Sequence, residues 1–185
     1  MDEGLSHKET PYTNTNEAIM KFAGIDPGKG GALYIESNNG IIVANCPLVK
    51  GTRDYDLAEM DRLVKIMRDS GCIVGLEFVH AFPGQGVVSM FSMGRGLGLW
   101  EALLVANGVT YQMVDPRDWR NFFELDVKVF KAGKKATKEE KDLAKRERKR
   151  LSQEFAEKRC PGLFKSVDQA EAYIISQYVK RNIAV

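Results

Sequence analysis

Four carboxylates in this 185-residue chain sit where a side chain is presented rather than merely solvated. Asp26 follows the apolar run FAGI and precedes PGKGG, so it projects from a strand terminus beside a tight turn, although an aspartate there also shapes turns. Glu77 closes the apolar run CIVGLE, a place where a charge is costly to bury unless something compensates it. Asp168 and Glu171, three apart in VDQAEAYI, share one face of a helix start and stand among Val167, Ala170, Ala172 and Ile174. Acids in a first helical turn are also favoured by the helix dipole alone. If all four converge they repel, and some of their pKa values rise unless divalent cations balance them. Two Mg²⁺ would match four ionised carboxylates. Oxygen-only ligands select Mg²⁺ or Mn²⁺, and a pair of such ions suits in-line displacement at a phosphodiester. The expected chemistry is metal-assisted phosphodiester hydrolysis.

Competing chemistries have little material. The chain holds only two histidines, His7 and His80, so a His-rich zinc site or a Ser-His-Asp triad has almost no choice of base. Gly24 to Gly28-Lys29 leaves too few intervening residues for a P-loop, and no Ser or Thr follows. Cys46, Cys72 and Cys160 contain no CxxC pair and read as small buried hydrophobes in a reducing compartment. No apolar run approaches the ~18 residues of a spanning helix, so no membrane role is expected.

The elements that must position the acids follow from periodicity. KFAGIDPGKGGALYIES (21–37) reads as a hairpin around a Gly-dense turn, and Ile41–Ala44 as a third strand. Leu57, Met60, Leu63, Val64 and Met67 mark an amphipathic helix over 56–69, stopped by Gly71. Residues 72–77 form a strand buried on both faces, 88–107 a second helix and 109–114 another strand. Asp115 caps a short helix with Pro116 at its first position. Thr137 with Glu140 makes a capping box for a helix to about Lys158, with Leu143, Leu151 and Phe155 as its thin apolar stripe. Ser166 with Gln169 makes a second box for the last helix, whose Ala170, Ile174, Ile175 and Tyr178 face the core. The fold expected is α/β, a mixed five-stranded sheet flanked by helices. Residues 1–20 read as a disordered N-terminal tail without export signal, and 21–185 as a single domain.

A net charge of +2 conceals an imbalance: residues 128–150 carry +7, leaving −5 elsewhere. A basic helix is often only a solvated face, but clustered Lys and Arg are also what phosphate neutralisation needs. Gly94, Gly96 and Gly98 lie within the second helix, where they favour close packing, including a contact between two copies, over a nucleotide loop. Trp119 reads as core, with stacking on DNA as the alternative.

GIDPG on the first strand, VGLE closing a later one and DQAEA opening the last helix together resemble the RuvC family of Holliday junction resolvases, within the ribonuclease H-like fold. PGQGVVSMFSMGRGLGLWEALLVANGV (83–109) and VDPRDWR (114–120) resemble the phage and plastid branch of that family. The likeness spans roughly residues 22–180. It implies Asp26, Glu77, Asp168 and Glu171 as catalytic metal ligands, Asp26 as the bridge, and Mg²⁺ or Mn²⁺ as cofactor, two ions per site. It further implies a homodimer nicking opposed strands of branched, four-way DNA, in the cytoplasm, that of the host if the protein is phage-encoded. Glu171 departs from bacterial members, which carry Asp there, and His80 stands where they carry a junction-facing Phe, flanked here by Phe78 and Phe82. The DNA-facing candidates are Phe82, Arg95, Arg117, Arg120, Lys131, Lys134, Lys135, Lys138 and Arg146. A catalytically silent junction-binding protein, or another ribonuclease H-like nuclease acting on flaps or RNA, would use the same fold. An actin-like ATPase or sugar kinase would need two copies of it, more than 185 residues supply.

Overall fold

The computed structural model describes residues 20–80, 84–127 and 136–183. Of the expected tail, 1–20, only Met20 falls among them. The alternation of side chains along β1 (Lys21–Ile25) and β2 (Ala32–Ser37) sets up two buried faces. Ala23, Ile25, Leu33 and Ile35 point into one core, while Phe22, Ala32 and Tyr34 point into another. β3 (Gly40–Asn45) extends the antiparallel meander, and β4 (Cys72–Glu77) and β5 (Tyr111–Val114) add parallel to β1, giving the order β3-β2-β1-β4-β5.

On the first face lie α1 (Leu57–Asp69) and α2 (Val87–Ala106). Asp56 caps α1 by accepting from the Glu59 amide, and Met60, Leu63, Val64 and Met67 are buried beneath it. Leu57, expected on that stripe, is instead 47% exposed because it occupies the first turn, ahead of the contact with the sheet. α2 buries Gly96, Trp100 and Leu104 only. The second face carries α5 (Val167–Ile183), with α3 (Pro116–Phe122) and α4 (Lys138–Arg159) around it.

The caps of α3 and α4 form as their sequences indicate: Asp115 accepts from the Arg117 amide, and Thr137 and Glu140 exchange both bonds of a capping box. The stripe of α4 differs from expectation. Leu143 is 66% exposed, and the buried seam is Ala144, Ser152 and Ala156, with Leu151 and Phe155 packed at its side. Small residues spaced along one face let two helices approach closely, so size rather than hydrophobicity selects the contact. The box at α5 is half made: the Ser166 hydroxyl accepts from the Gln169 amide, but the Gln169 carbonyl turns to the Lys165 amide and its NH₂ group to Asn45. Tyr178 is only half-buried at the edge of its core. The three cysteines are free, Cys46 and Cys72 buried and Cys160 partly so. Among the described residues no helix is long and apolar enough to cross a membrane.

Candidate metal centre

Register brings the first two acids together. β1 and β4 pair in parallel with Gly24 opposite Gly75 and Ile25 opposite Leu76, so Asp26 and Glu77 leave the carboxyl ends of adjacent strands. The period of two places both on the α5 face, with Phe22 and Gly24 on one strand and Gly75 on the other. The paired glycines then let α5 settle onto the sheet. A Cβ at Gly24 would stand 2.0 Å from the Ala172 carbonyl oxygen and 2.8 Å from the Ser176 amide. One at Gly75 would meet Ile175 and Val179 at 2.7 and 2.8 Å. Gly31 lies equally close under Asp26, where a Cβ would be 2.2 Å from its carbonyl oxygen. The start of α5 is thereby delivered to the strand ends, the usual location of sites in parallel sheets. One carboxylate oxygen each from Asp26, Asp168 and Glu171 lies within 4.8 Å of the others.

Glu77 stands beside this triad rather than in it. Its Oε1 accepts from the buried Trp119 indole at 3.1 Å, and the Arg120 guanidinium lies 3.9 Å from the same atom. Arg120 stacks over the Trp119 ring at 4.6 Å, and its Nε is buried without a hydrogen-bond partner. Burial, then the Asp26 charge, pushes the Glu77 carboxyl up to about 8 against the opposing pull of Arg120. Burial also raises Asp26 and Glu171; the Gly28 amide and Lys149 oppose it at Asp26, and Arg120 opposes it at Glu171.

The fourth wall is α4. Lys149 Nζ lies 3.4 Å from Asp168 Oδ1, and the buried Ser152 hydroxyl donates to Glu171 Oε1 at 3.3 Å. Lys145, Lys149 and Ser152 recur on one face of α4 at spacings of four and three. A groove of about 1130 Å³ runs from Asp26 and Asp168 past Lys145 and Lys149 to Lys29 and Arg53. The residues fit a hard divalent ion: every donor in the triad is a carboxylate oxygen. The two cations adjoining the four acids, Arg120 and Lys149, would leave a net charge of −2 if all four ionised.

The other sequence candidates are spread more widely. Arg120 turns inward to Glu77 rather than outward. Arg117 is exposed and paired with Asp115, whose carboxyl Arg117 and His80 hold well below the usual carboxylate range. Arg95 lies 3.6 Å from Asp54 and over the Tyr55 ring. Lys138 and Arg146 are exposed on α4. Phe82, Lys131, Lys134 and Lys135 lie outside the described residues. Phe78 is partly exposed and packs edge-on against His80. Trp119 is fully buried, as its sequence context suggests, but its bond to Glu77 had no signal in the sequence. Ser152 was also missed, and Lys149 was legible only as part of the basic 128–150 stretch, although the small-residue spacing of Ala144, Ser152 and Ala156 marks the face they share. Gly96 packs internally, where a Cβ would meet the Tyr55 hydroxyl and the Pro27 carbonyl, whereas Gly94 and Gly98 face open space.

No family model matches the chain, and no curated protein matches it. Solved structures do. RuvC of Thermus thermophilus in complex with a Holliday junction substrate is similar at a TM-score of 0.52 and 15% identity, covering 88% of this chain and 96% of that one. The Thermus thermophilus RuvC structure is similar at a TM-score of 0.51 and 17% identity, covering 88% and 97%. The chain has the ribonuclease H-like fold of these proteins.

Proposed function

We propose that this chain is a magnesium-dependent, structure-selective endodeoxyribonuclease that resolves four-way DNA junctions, of the phage and plastid branch of the RuvC-like resolvases. The supporting observation is the meeting of Asp26, Asp168 and Glu171 within 4.8 Å beside Glu77, on a fold shared with a RuvC solved on a Holliday junction substrate. Asp26, Asp168 and Glu171, with Glu77 beside them, would hold the divalent ions, and Asp26 would be the ligand shared between them. Ions held there would supply activation of a water and stabilisation of the leaving 3′-oxygen, the chemistry that leaves a 5′-phosphate and a ligatable nick.

The remaining residues bind and orient. Lys145 and Arg53, which line the groove beside the acids with Lys149, would neutralise strand phosphates, with Lys138 and Arg146 also on α4. Arg120 holds a positive charge against Glu77, and Trp119 closes the site behind it. Arg95, Arg117, Phe82, Lys131, Lys134 and Lys135 complete the proposed DNA contacts. The outward face of α2 supports a homodimer: Val87, Phe91 and Val105 are exposed along it, and nothing lies within 4 Å of a Cβ at Gly94 or Gly98. Residues 21–185 would act as one nuclease domain, working in the cytoplasm.

The test is incubation of a four-way junction, a flap and an RNA–DNA hybrid with Mg²⁺ at one salt concentration. The wild type should nick opposed strands of the junction preferentially. Glu77→Gln should abolish cleavage and leave junction binding largely intact, since the groups that carry affinity lie outside the acid cluster. Magnesium-dependent cutting retained by that variant removes Glu77 from the mechanism, and intact DNA in all three wild-type reactions removes the nuclease assignment.

A further inference from the structure

Each of the four acids has one oxygen held by the protein. Gly28 N–H donates to Asp26 Oδ1 at 3.3 Å, Trp119 Nε1–H to Glu77 Oε1 at 3.1 Å, and Ser152 Oγ–H to Glu171 Oε1 at 3.3 Å. Lys149 Nζ lies 3.4 Å from Asp168 Oδ1. The two bonds to glutamates are the buried ones: Trp119 and Ser152 are both 0% exposed, and Glu77 and Glu171 are 8% exposed each. A buried indole N–H needs an acceptor, but a backbone carbonyl would serve as well as a carboxylate, and a serine in the Ala144–Ala156 seam has no packing advantage over alanine.

We infer that Trp119 and Ser152 are positioning residues that set the metal selectivity of the site, each tying one carboxylate oxygen so that Glu77 and Glu171 favour ligation through the other oxygen. The inference rests on the nuclease reading above. Mg²⁺ demands near-ideal octahedral geometry, with oxygens at about 2.0–2.1 Å, and keeps several waters; Ca²⁺ accepts six to eight oxygens at about 2.3–2.6 Å and readily takes a carboxylate through both. A glutamate with one oxygen already accepting from an N–H or O–H donor is held in a fixed direction and presents its other oxygen as the better ligand, which suits the smaller ion and disfavours the two-oxygen ligation the larger one readily takes. Glutamate has a longer and more mobile side chain than aspartate, so it is the residue that most needs such a tether. The geometry agrees, since the two side-chain donors that are fully buried serve the two glutamates.

The experiment is calorimetric titration of the metal-stripped protein with Mg²⁺, Mn²⁺ and Ca²⁺, for the wild type, Ser152→Ala and Trp119→Phe. Loss of an outer-shell partner to a metal ligand typically costs about 10- to 100-fold in metal affinity. Each variant should therefore bind Mg²⁺ at least about 10-fold more weakly while Ca²⁺ binding holds or tightens, so the Mg²⁺/Ca²⁺ affinity ratio falls by at least that factor. In cleavage assays the Mg²⁺ concentration for half-maximal rate should rise more than the rate at saturating Mg²⁺ falls, with junction affinity in EDTA unchanged. Should Trp119→Phe fail to fold, Ser152→Ala decides alone, because it removes only a hydroxyl from a seam of alanines. A folded Ser152→Ala protein with the wild-type Mg²⁺/Ca²⁺ ratio overturns the inference. A wild type that binds Mg²⁺ with these selectivities yet leaves junctions intact overturns the nuclease reading alone, and a wild type that binds no divalent ion overturns both.

Discussion

Replacing Gly24 by alanine would place a methyl group 2.0 Å from the Ala172 carbonyl oxygen, 2.8 Å from the Ser176 amide nitrogen and 3.0 Å from the Ala172 carbonyl carbon. All three are backbone atoms of α5, so no rotamer change relieves the clash. Restoring ordinary contact at about 3.4 Å requires α5 and β1 to separate locally by about 1.4 Å. α5 carries Asp168 and Glu171, and β1 leads into Asp26, so the separation opens the triad directly. Metal–ligand distances tolerate only about 0.2 Å, which makes the displacement several times too large for the same set of oxygens to hold an ion. A misplacement of about 1 Å already costs about 100-fold in rate, so single-turnover cleavage of a four-way junction in Mg²⁺ should fall by at least that factor. Overpacking of this kind costs about 1–3 kcal/mol, read as a lowered urea midpoint, and affinity for the junction in EDTA should change little. Gly75→Ala supplies the graded comparison. Its methyl would meet the Cγ2 methyls of Ile175 and Val179 at 2.7 and 2.8 Å and the Ile175 carbonyl oxygen at 3.3 Å, a shallower overlap than 2.0 Å on backbone, so its activity loss should be smaller. A folded Gly24→Ala enzyme with wild-type rates, or a Gly75→Ala enzyme more impaired than it, refutes the argument that the glycine pair sets the position of the acids.

Three further outcomes follow from the same geometry. Glu77, Asp26 and Glu171 have raised pKa values in the fold, Glu77 to about 8 from an ordinary value near 4.5, so the folded state retains protons that the unfolded chain releases. Their contribution is fully present below the unfolded carboxylate pKa and is lost as pH rises toward 8, so thermal melts in EDTA should drop by several degrees from pH 5 to pH 8, with Mg²⁺ recovering more at pH 8; flat melts would contradict it. Lys145→Ala should weaken junction binding and lower the slope of log affinity against log salt by about 0.9, because one phosphate fewer is neutralised, whereas an unchanged slope would take Lys145 out of the interface. Phe91→Asp, at a side chain 74% exposed on α2, should convert a dimer to monomer in sedimentation, and a wild type that sediments as a monomer at micromolar concentration would remove the dimer proposal.

Element order and the acids' positions within it were legible in the sequence because both are local properties. The apolar runs FAGI and CIVGLE mark strands, their ends fix where Asp26 and Glu77 emerge, and a spacing of three fixes a shared helical face for Asp168 and Glu171. The caps at Asp115 and Thr137 were legible for the same reason, since each depends on residues within a single turn. Leu143 is hydrophobic yet exposed, because α4 meets α5 through Ala144, Ser152 and Ala156, where smallness rather than hydrophobicity governs the approach. Gln169 likewise found better partners in Lys165 and Asn45 than its own helix cap offered.

The tertiary structure alone decided which acids meet and what surrounds them. Gly24 and Gly75 are 51 positions apart and become a common seat for α5 only through strand register. The bond from Trp119 to Glu77 spans 42 positions, and that from Ser152 to Glu171 spans 19 across a helix pair. The sequence determined which groups could carry charge and at which ends of which elements. Their separation, their proton affinity and the oxygen each leaves free depend on burial and on donors brought in from distant segments, quantities that exist only once the sheet and helices have packed.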